Sequence, residues 1–293
     1  MDLIKRINKK NGLIFDGAMG TMLIAKGLEK GRPSEIFNLE NPDAVYEIHL
    51  EYIKAGSDVI TTNTFGGSGL KLSKTELNGK TEEINRIAVR VARRAADGSV
   101  IVAGDIGPTG EMLKPYGVLE PEAAVDIFAE QAYYLDSEGV DAFIVETMFD
   151  INEMITALKG VRKVSDKPIF ATLTFVKKPV GFFTLMGNDI PNSMRRMLDE
   201  GADIVGANCS IGSDAMVDLA AQIRKSVDSP VIVQPNAGVP KIIDEEVVYP
   251  ESKEFFAENI IKIKTLGVEV VGGCCGTSPE YIDIISKRLK RKF

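Results

Sequence analysis

Tryptophan is absent from this chain of 293 residues, histidine occurs once and cysteine three times. Each shortage excludes something. Without Trp the chain lacks the broad aromatic platform that sugar sites usually offer, which thins a glycosidase reading of its acids. The single His49 falls in a helical pattern over 43–55 and reads as an ordinary outer-helix histidine. A Ser-His triad is then out of reach, and any metal site must be built from sulfur and oxygen. No apolar run approaches the roughly 20 residues that cross a bilayer, and residues 1–10 lack the apolar stretch of a secretory signal. Basic charge is not in excess either: Lys and Arg total 35 against 42 Asp and Glu, a net charge of −7. This disfavours nucleic acid and anionic membranes as partners and favours a small neutral or zwitterionic ligand. An odd cysteine count suits a reducing compartment, so a cytoplasmic location is expected.

The three thiols are arranged unevenly. Cys274 and Cys275 are neighbours in the run 271–277, whereas Cys209 stands alone after the apolar run 204–208. Both places are points where an apolar strand gives way to a polar or glycine-rich loop. Three thiolates around zinc would leave one coordination position open, the mark of a catalytic rather than a structural site. Two plainer readings stand beside it. A free cysteine often behaves as a small buried hydrophobe, and a vicinal disulfide is conceivable, although it strains the geometry and leaves Cys209 unpaired.

Short β-branched runs alternate with amphipathic segments along the whole chain, the pattern of repeated βα units. Eight strands are predicted, at 13–16, 58–63, 100–105, 142–146, 169–174, 203–208, 231–234 and 268–273. Proline at or near helix starts, at Pro42, Pro121 and Pro279, supports the helices between them. The predicted fold class is α/β, a (β/α)8 TIM barrel forming a single domain over 1–293 with a short N-terminal helical extension. Asp16, Asn63, Asp105, Glu146, Thr174, Asn208 with Cys209, Asn236 and Cys274 all fall at or just past strand ends. Barrel enzymes place their chemistry there. The stretch 238–249 is expected as a long loop after the seventh strand. The glycine-rich run 64–69, and the loops after the seventh and eighth strands, read as tight turns and close backbone approach rather than a phosphate cradle, because no Lys or Arg accompanies 236–238 or 272–273 until Lys241. Asp16 and Glu146 fit either paired acid/base carboxylates or a clamp on an ammonium group.

These motifs together carry a resemblance: 15–21 (Phe15, Asp16, Gly17, Ala18, Met19, Gly20, Thr21), 62–65, 104–109, 145–147, 208–210, 235–238 and 272–277. Nearly the whole chain, in order, resembles the homocysteine S-methyltransferase family, and within it the homocysteine-binding barrel of the cobalamin-dependent methionine synthases. The runs 235–238 and 275–277 resemble that branch more than the betaine- or S-methylmethionine-dependent ones.

The resemblance implies that Cys209, Cys274 and Cys275 bind Zn2+, with Asn236 near the metal until homocysteine sulfur displaces it. It implies that Asp16 and Glu146 hold the substrate's ammonium, and that backbone amides around Gly17, Ala18 and Thr64 meet its carboxylate. A free thiol is mostly protonated at neutral pH, whereas a zinc-coordinated one is a thiolate, so the implied reaction is methylation of homocysteine to methionine. Folate, cobalamin and reactivation modules of the full synthases are missing here. The expected methyl donor is therefore methylcobalamin on a separate corrinoid protein. The alternatives are S-methylmethionine or betaine as donor, a non-catalytic thiol- or zinc-binding module of a larger synthase, or a metal-free hydrolase using Asp16 and Glu146.

Overall fold

The computed structural model describes Leu3, Ile7, residues 12–244 and residues 246–292. In chain order its strands are β1 (Leu13–Ile14), β2 (Val59–Thr61), β3 (Ile101–Ile106), β4 (Ala142–Met148), β5 (Ile169–Leu173), the hairpin β6 (Val176–Lys178) and β7 (Gly181–Phe183), then β8 (Ile204–Gly212). These are followed by β9 (Val231–Asn236), the hairpin β10 (Lys241–Ile243) and β11 (Glu246–Val248), and β12 (Val270–Val271). Eight of these form one sheet in the order β1, β12, β9, β8, β5, β4, β3, β2, every pair parallel. A parallel bridge between Phe15 and Val59 joins the two ends and closes the barrel. The predicted (β/α)8 architecture is what the chain adopts. The expected loop at 238–249 instead carries the hairpin β10–β11, and a second hairpin that the sequence did not announce follows β5.

Eleven helices pack outside: α1 (Met19–Ala25), α2 (Phe37–Glu40), α3 (Pro42–Ala55), α4 (Gly69–Leu72), α5 (Thr81–Ala96), α6 (Pro121–Ser137), α7 (Ile151–Arg162), α8 (Ile190–Asp199), α9 (Ser213–Ser226), α10 (Lys253–Thr265) and α11 (Pro279–Lys292), counted among the described residues. Their starts follow local chemistry. Asn41 Oδ1 accepts the Ala44 amide at 3.2 Å while Pro42 occupies the first turn, where its missing N–H costs nothing. Gly56, at φ 102°, ends α3 in the left-handed conformation that glycine alone adopts freely.

Two apolar layers result. Outward-facing strand residues pack under the helices, and inward-facing ones fill the lumen: Phe15, Val59, Ala103, Ile144, Phe170, Ile204, Ile232 and Val270 are all buried there. Leu3 and Ile7 are helical and join this lumen cluster. The rest of the expected N-terminal extension lies outside the described residues. Because strand side chains alternate with a period of two, the next inward positions after this apolar layer are Thr61, Asp105, Glu146, Thr172 and Gln234, and on β8 Asn208 follows Gly206 on the same face. A polar layer thus caps the apolar one at the carboxyl end of the barrel.

Candidate active site

A cavity of about 400 Å³ opens on that polar layer, lined among others by Asp16, Gly17, Ala18, Asp105, Glu146 and the three cysteines. Residues 225 apart in sequence are tied together at its rim: the buried Tyr52 hydroxyl on α3 points at Thr277 O, 2.9 Å away, and Ala18 O, 3.2 Å away. Gly17 lies under this tie. A Cβ at that position would stand 2.7 Å from Thr277 O and 3.0 Å from the Tyr52 hydroxyl, so only glycine lets the two loops meet.

Cys209 lies on β8 three residues before its end, and Cys274 and Cys275 come from the loop after β12. Their sulfurs lie within 4.8 Å of one another, with Cys209 Sγ and Cys275 Sγ 4.0 Å apart, and no disulfide joins them. An ion bound tetrahedrally at about 2.3 Å from each sulfur would hold them about 3.8 Å apart, so the triangle fits zinc with little movement. The electrostatics point the same way. Hydrogen bonds from Cys209 and Cys274 hold the Cys275 thiol down to about 3, and the counterpart hydrogen bonds, with burial, push Cys274 well above the ordinary thiol range.

The backbone at these positions is unusual. Cys209 and Ser210 have φ of 62° and 63°, and Thr147, beside Glu146, has φ of 58°. Such left-handed conformations cost non-glycine residues about 1–3 kcal/mol each and gather at functional sites. The strand register shifts between Asn208 and Gly212 and between Val145 and Met148, so bulges aim Cys209 and Glu146 toward one centre.

Asn208 locks that arrangement. Its Nδ2 donates to Glu146 Oε2 at 2.5 Å and Thr147 Oγ1 at 2.7 Å, and lies 4.0 Å from Cys274 Sγ. Its Oδ1 accepts from Thr147 N at 2.9 Å and Thr172 Oγ1 at 2.8 Å. Asp16 is held from β2: Oδ2 accepts Thr61 N at 2.8 Å, and Thr61 Oγ1 lies 3.2 Å away. Burial lifts the Asp16 carboxyl to about 8 against the lowering effect of these Thr61 bonds.

Of the residues expected at the site, Asp16, Gly17, Ala18, Glu146 and the three cysteines share the cavity wall. Two stand behind it. Thr64 is fully buried, its amide bonded to Thr62 O and its hydroxyl to Asp105 O at 2.7 Å, so it fixes β3 rather than facing the cavity. Asn236 is buried beside the cysteine loop, where Pro235 O accepts Cys274 N at 2.9 Å and Ala237 N donates to Cys275 O at 3.0 Å; its own Oδ1 has no partner. The Ala18 amide is committed to Thr277 O at 3.0 Å. The glycine-rich loop is likewise satisfied internally, since the buried Glu35 carboxylate accepts the Gly66 amide at 2.5 Å. His49 lies on an outer helix as expected but is wholly buried, with neither ring nitrogen bonded.

Sequence reasoning gave no role to Tyr52, Thr61 or Tyr249. Tyr249, whose ring would collide with any Cβ on Gly276, directs its hydroxyl at Cys275. None carries a motif of its own; each acts by reaching across from another element. Asp105 and Asn208 were visible as polar strand ends, and the period-of-two count from Ala103 and Ile204 was the signal that both face inward.

Comparison with known proteins agrees with this geometry. Residues 13–289 match the family model described as homocysteine S-methyltransferase. The methionine synthase of Mycobacterium leprae is 31% identical over 299 residues, covering 95% of this chain and 24% of that protein. Its Mycobacterium tuberculosis counterpart is 32% identical over 290 residues, covering 92% and 24% respectively. The chain thus spans about a quarter of the length of these relatives. Among solved structures, the metallated form of the Escherichia coli homocysteine methyltransferase MmuM superimposes with a TM-score of 0.82 at 20% identity, covering 98% of this chain and 99% of that one. At that identity the likeness speaks for the barrel. With the family model matching residues 13–289 and the cysteine triangle and acidic cavity in place, the chain belongs to the homocysteine S-methyltransferase family.

Proposed function

We propose that this barrel methylates homocysteine on sulfur, giving methionine, with zinc held by Cys209, Cys274 and Cys275. The observation that carries this reading is three sulfurs, from two distant segments, within 4.8 Å of one another on the wall of an amino-acid-sized cavity. Zinc, when bound, supplies a Lewis acid that keeps an incoming sulfhydryl deprotonated at neutral pH.

The chain's own residues do the rest. Asp16 and Glu146 receive the substrate's ammonium, and Asn208 and Thr61 keep both carboxylates in place. The amide at Gly17, on the cavity wall, meets the substrate carboxylate; the Ala18 amide is spent on Thr277, so Ala18 contributes shape. Thr64 acts indirectly by anchoring Asp105, and Asn236 stands beside the cysteine loop with a free Oδ1 suited to resting near the metal. In the reaction the thiol proton passes to solvent, the sulfur lone pair forms the sulfur–carbon bond, and the bond from the donor to the methyl group breaks with its electron pair staying on the donor. The methyl donor in this reading is a corrinoid held outside this barrel, a choice that rests on the resemblance of the runs 235–238 and 275–277 to the cobalamin-dependent branch.

Metal analysis with a donor panel tests it. The purified chain should hold one zinc per molecule, and Cys274→Ala or Cys275→Ala should lose both zinc and methyl transfer. Methylcobalamin, a methylated corrinoid protein, S-methylmethionine and betaine are offered in turn with homocysteine. Turnover only with S-methylmethionine or betaine would refute the corrinoid assignment; a variant without metal that kept its transfer rate would refute the zinc site.

A further inference from the structure

We infer that Asp105 is a third substrate-binding carboxylate, receiving the ammonium group together with Asp16 and Glu146, and that it makes the cavity selective for an amino thiol. This rests on the proposed function and goes beyond it, since the reading of the motifs assigns Asp105 no role.

Position comes first. Asp105 lies two residues beyond the lumen residue Ala103 on β3, so its side chain faces the barrel interior, and it lines the cavity between Thr61 and Thr62 on one side and Glu146 on the other. Its backbone is fixed at both ends: Thr62 Oγ1 bonds its amide at 3.0 Å, and its carbonyl accepts from Thr64 Oγ1 at 2.7 Å. Yet one carboxyl oxygen is unsatisfied. Only 6% of the residue is exposed, its Oδ1 has no hydrogen-bond partner, and the side chain its carboxyl meets is a second acid, Glu146. Asp16 and Glu146 differ, because Thr61 donates to the first and Asn208 and Thr147 to the second.

A buried carboxyl oxygen without a donor is costly, and such groups are rarely left so unless a ligand supplies the donor. Among the described residues, the cavity wall contains no Lys, Arg or His to do this. A primary ammonium brings one positive charge and three N–H donors. Three carboxylates converge on the cavity, one for each. In the free protein, burial first, and then the charges of Glu146, Glu35 and Asp16, push the Asp105 carboxyl well above the usual range, which favours its neutral form beside Glu146.

The test is calorimetric titration of the zinc-loaded full chain with L-homocysteine and with mercaptobutanoate, which keeps the thiol and carboxylate but lacks the amine. Asp105→Asn preserves shape, cannot become an anion and carries an N–H2 donor in place of one carboxyl oxygen. It is expected to bind homocysteine about 100-fold more weakly while binding mercaptobutanoate within about twofold of wild type, with zinc content unchanged. Asp105→Ser, a smaller side chain, should show the same split. Wild-type affinity for homocysteine in both variants would overturn the inference, as would equal loss of both thiols, which marks a structural role. A zinc-loaded wild type that binds neither thiol would instead refute the parent reading, and this inference with it.

Discussion

Because the chain has one histidine, its protonation can be followed without ambiguity, and the structure sets what it should do. His49 is fully buried in α3, and burial alone lowers its pKa from 6.5 to about 4. Between these values the unfolded chain binds a proton that the folded chain refuses. Stability from this group is therefore fully present above about pH 6.5 and is lost as pH falls toward 4. A tenfold difference in proton affinity between the two states is worth about 1.4 kcal/mol, so the loss is about 1.4 kcal/mol near pH 5.5 and about 3 kcal/mol once pH reaches 4. His49→Leu removes the titration at similar volume. It also removes two buried ring nitrogens that have no partner, so the variant should be at least as stable as wild type near neutrality. Urea denaturation of both proteins at several pH values isolates the histidine's contribution as a difference, cancelling the carboxylates they share. The imidazole proton resonance gives the midpoint directly. A histidine titrating near 6, or wild-type and variant stabilities falling in parallel, would refute this account. The same result bears on function: with no imidazole available, any pH dependence of turnover near neutrality must come from carboxyls, thiols or substrate.

Other expectations follow from the site. Gly17→Ala places a methyl group 2.7 Å from Thr277 O, an overlap that should cost about 2 kcal/mol in denaturation and weaken homocysteine binding in calorimetry. Asn208→Leu removes the bonds to Glu146, Thr147 and Thr172; stability should drop by about 4 kcal/mol and zinc affinity, measured by chelator competition, by about 10- to 100-fold. Unchanged zinc affinity would show that Asn208 holds only the acid. Asp16→Asn addresses a carboxyl that burial raises from 3.8 to about 8. The folded chain keeps this proton where the unfolded chain releases it, so its contribution is present below about pH 4 and is lost as pH rises through 8. The stability of the metal-free wild type relative to Asp16→Asn should accordingly decline by about 1.4 kcal/mol per pH unit across that window.

Much of the fold could be read directly from the residues. The apolar runs at 142–146 and 169–174 are buried on both faces, as parallel barrel strands must be, and both emerge as strands with nearly those limits. Strands β1 and β12 were predicted longer than the regular pairing of Leu13–Ile14 and Val270–Val271, although ladder bonds run on past both, from Phe15 N to Val271 O at 2.8 Å and from Gly273 N to Asp16 O at 3.0 Å. The hairpin β10–β11 escaped notice because its residues Ile242, Ile243 and Val247 are exposed, so they show no buried face to mark a strand. His49 was placed on the right helix. Its burial depends on what packs over α3 from elsewhere in the chain, which a single helical pattern does not contain.

The linear chain by itself determined the alternation that builds a parallel barrel, the family motifs, and the identity of three sulfurs and several acids at strand ends. Only the folded molecule decided which of these meet. A period of two fixes the face a residue occupies, but the bulges at Asn208 and Val145 and the left-handed turns at Cys209 and Thr147 re-aim side chains by tertiary constraint. Hydrogen bonds across the lumen then fix which atoms remain free: Thr277 takes the Ala18 amide, the Asp105 carbonyl takes the Thr64 hydroxyl, and the Asp105 carboxyl is left with an oxygen to offer. Local sequence cannot encode that remainder, because satisfaction of a polar group depends on partners that arrive from distant segments.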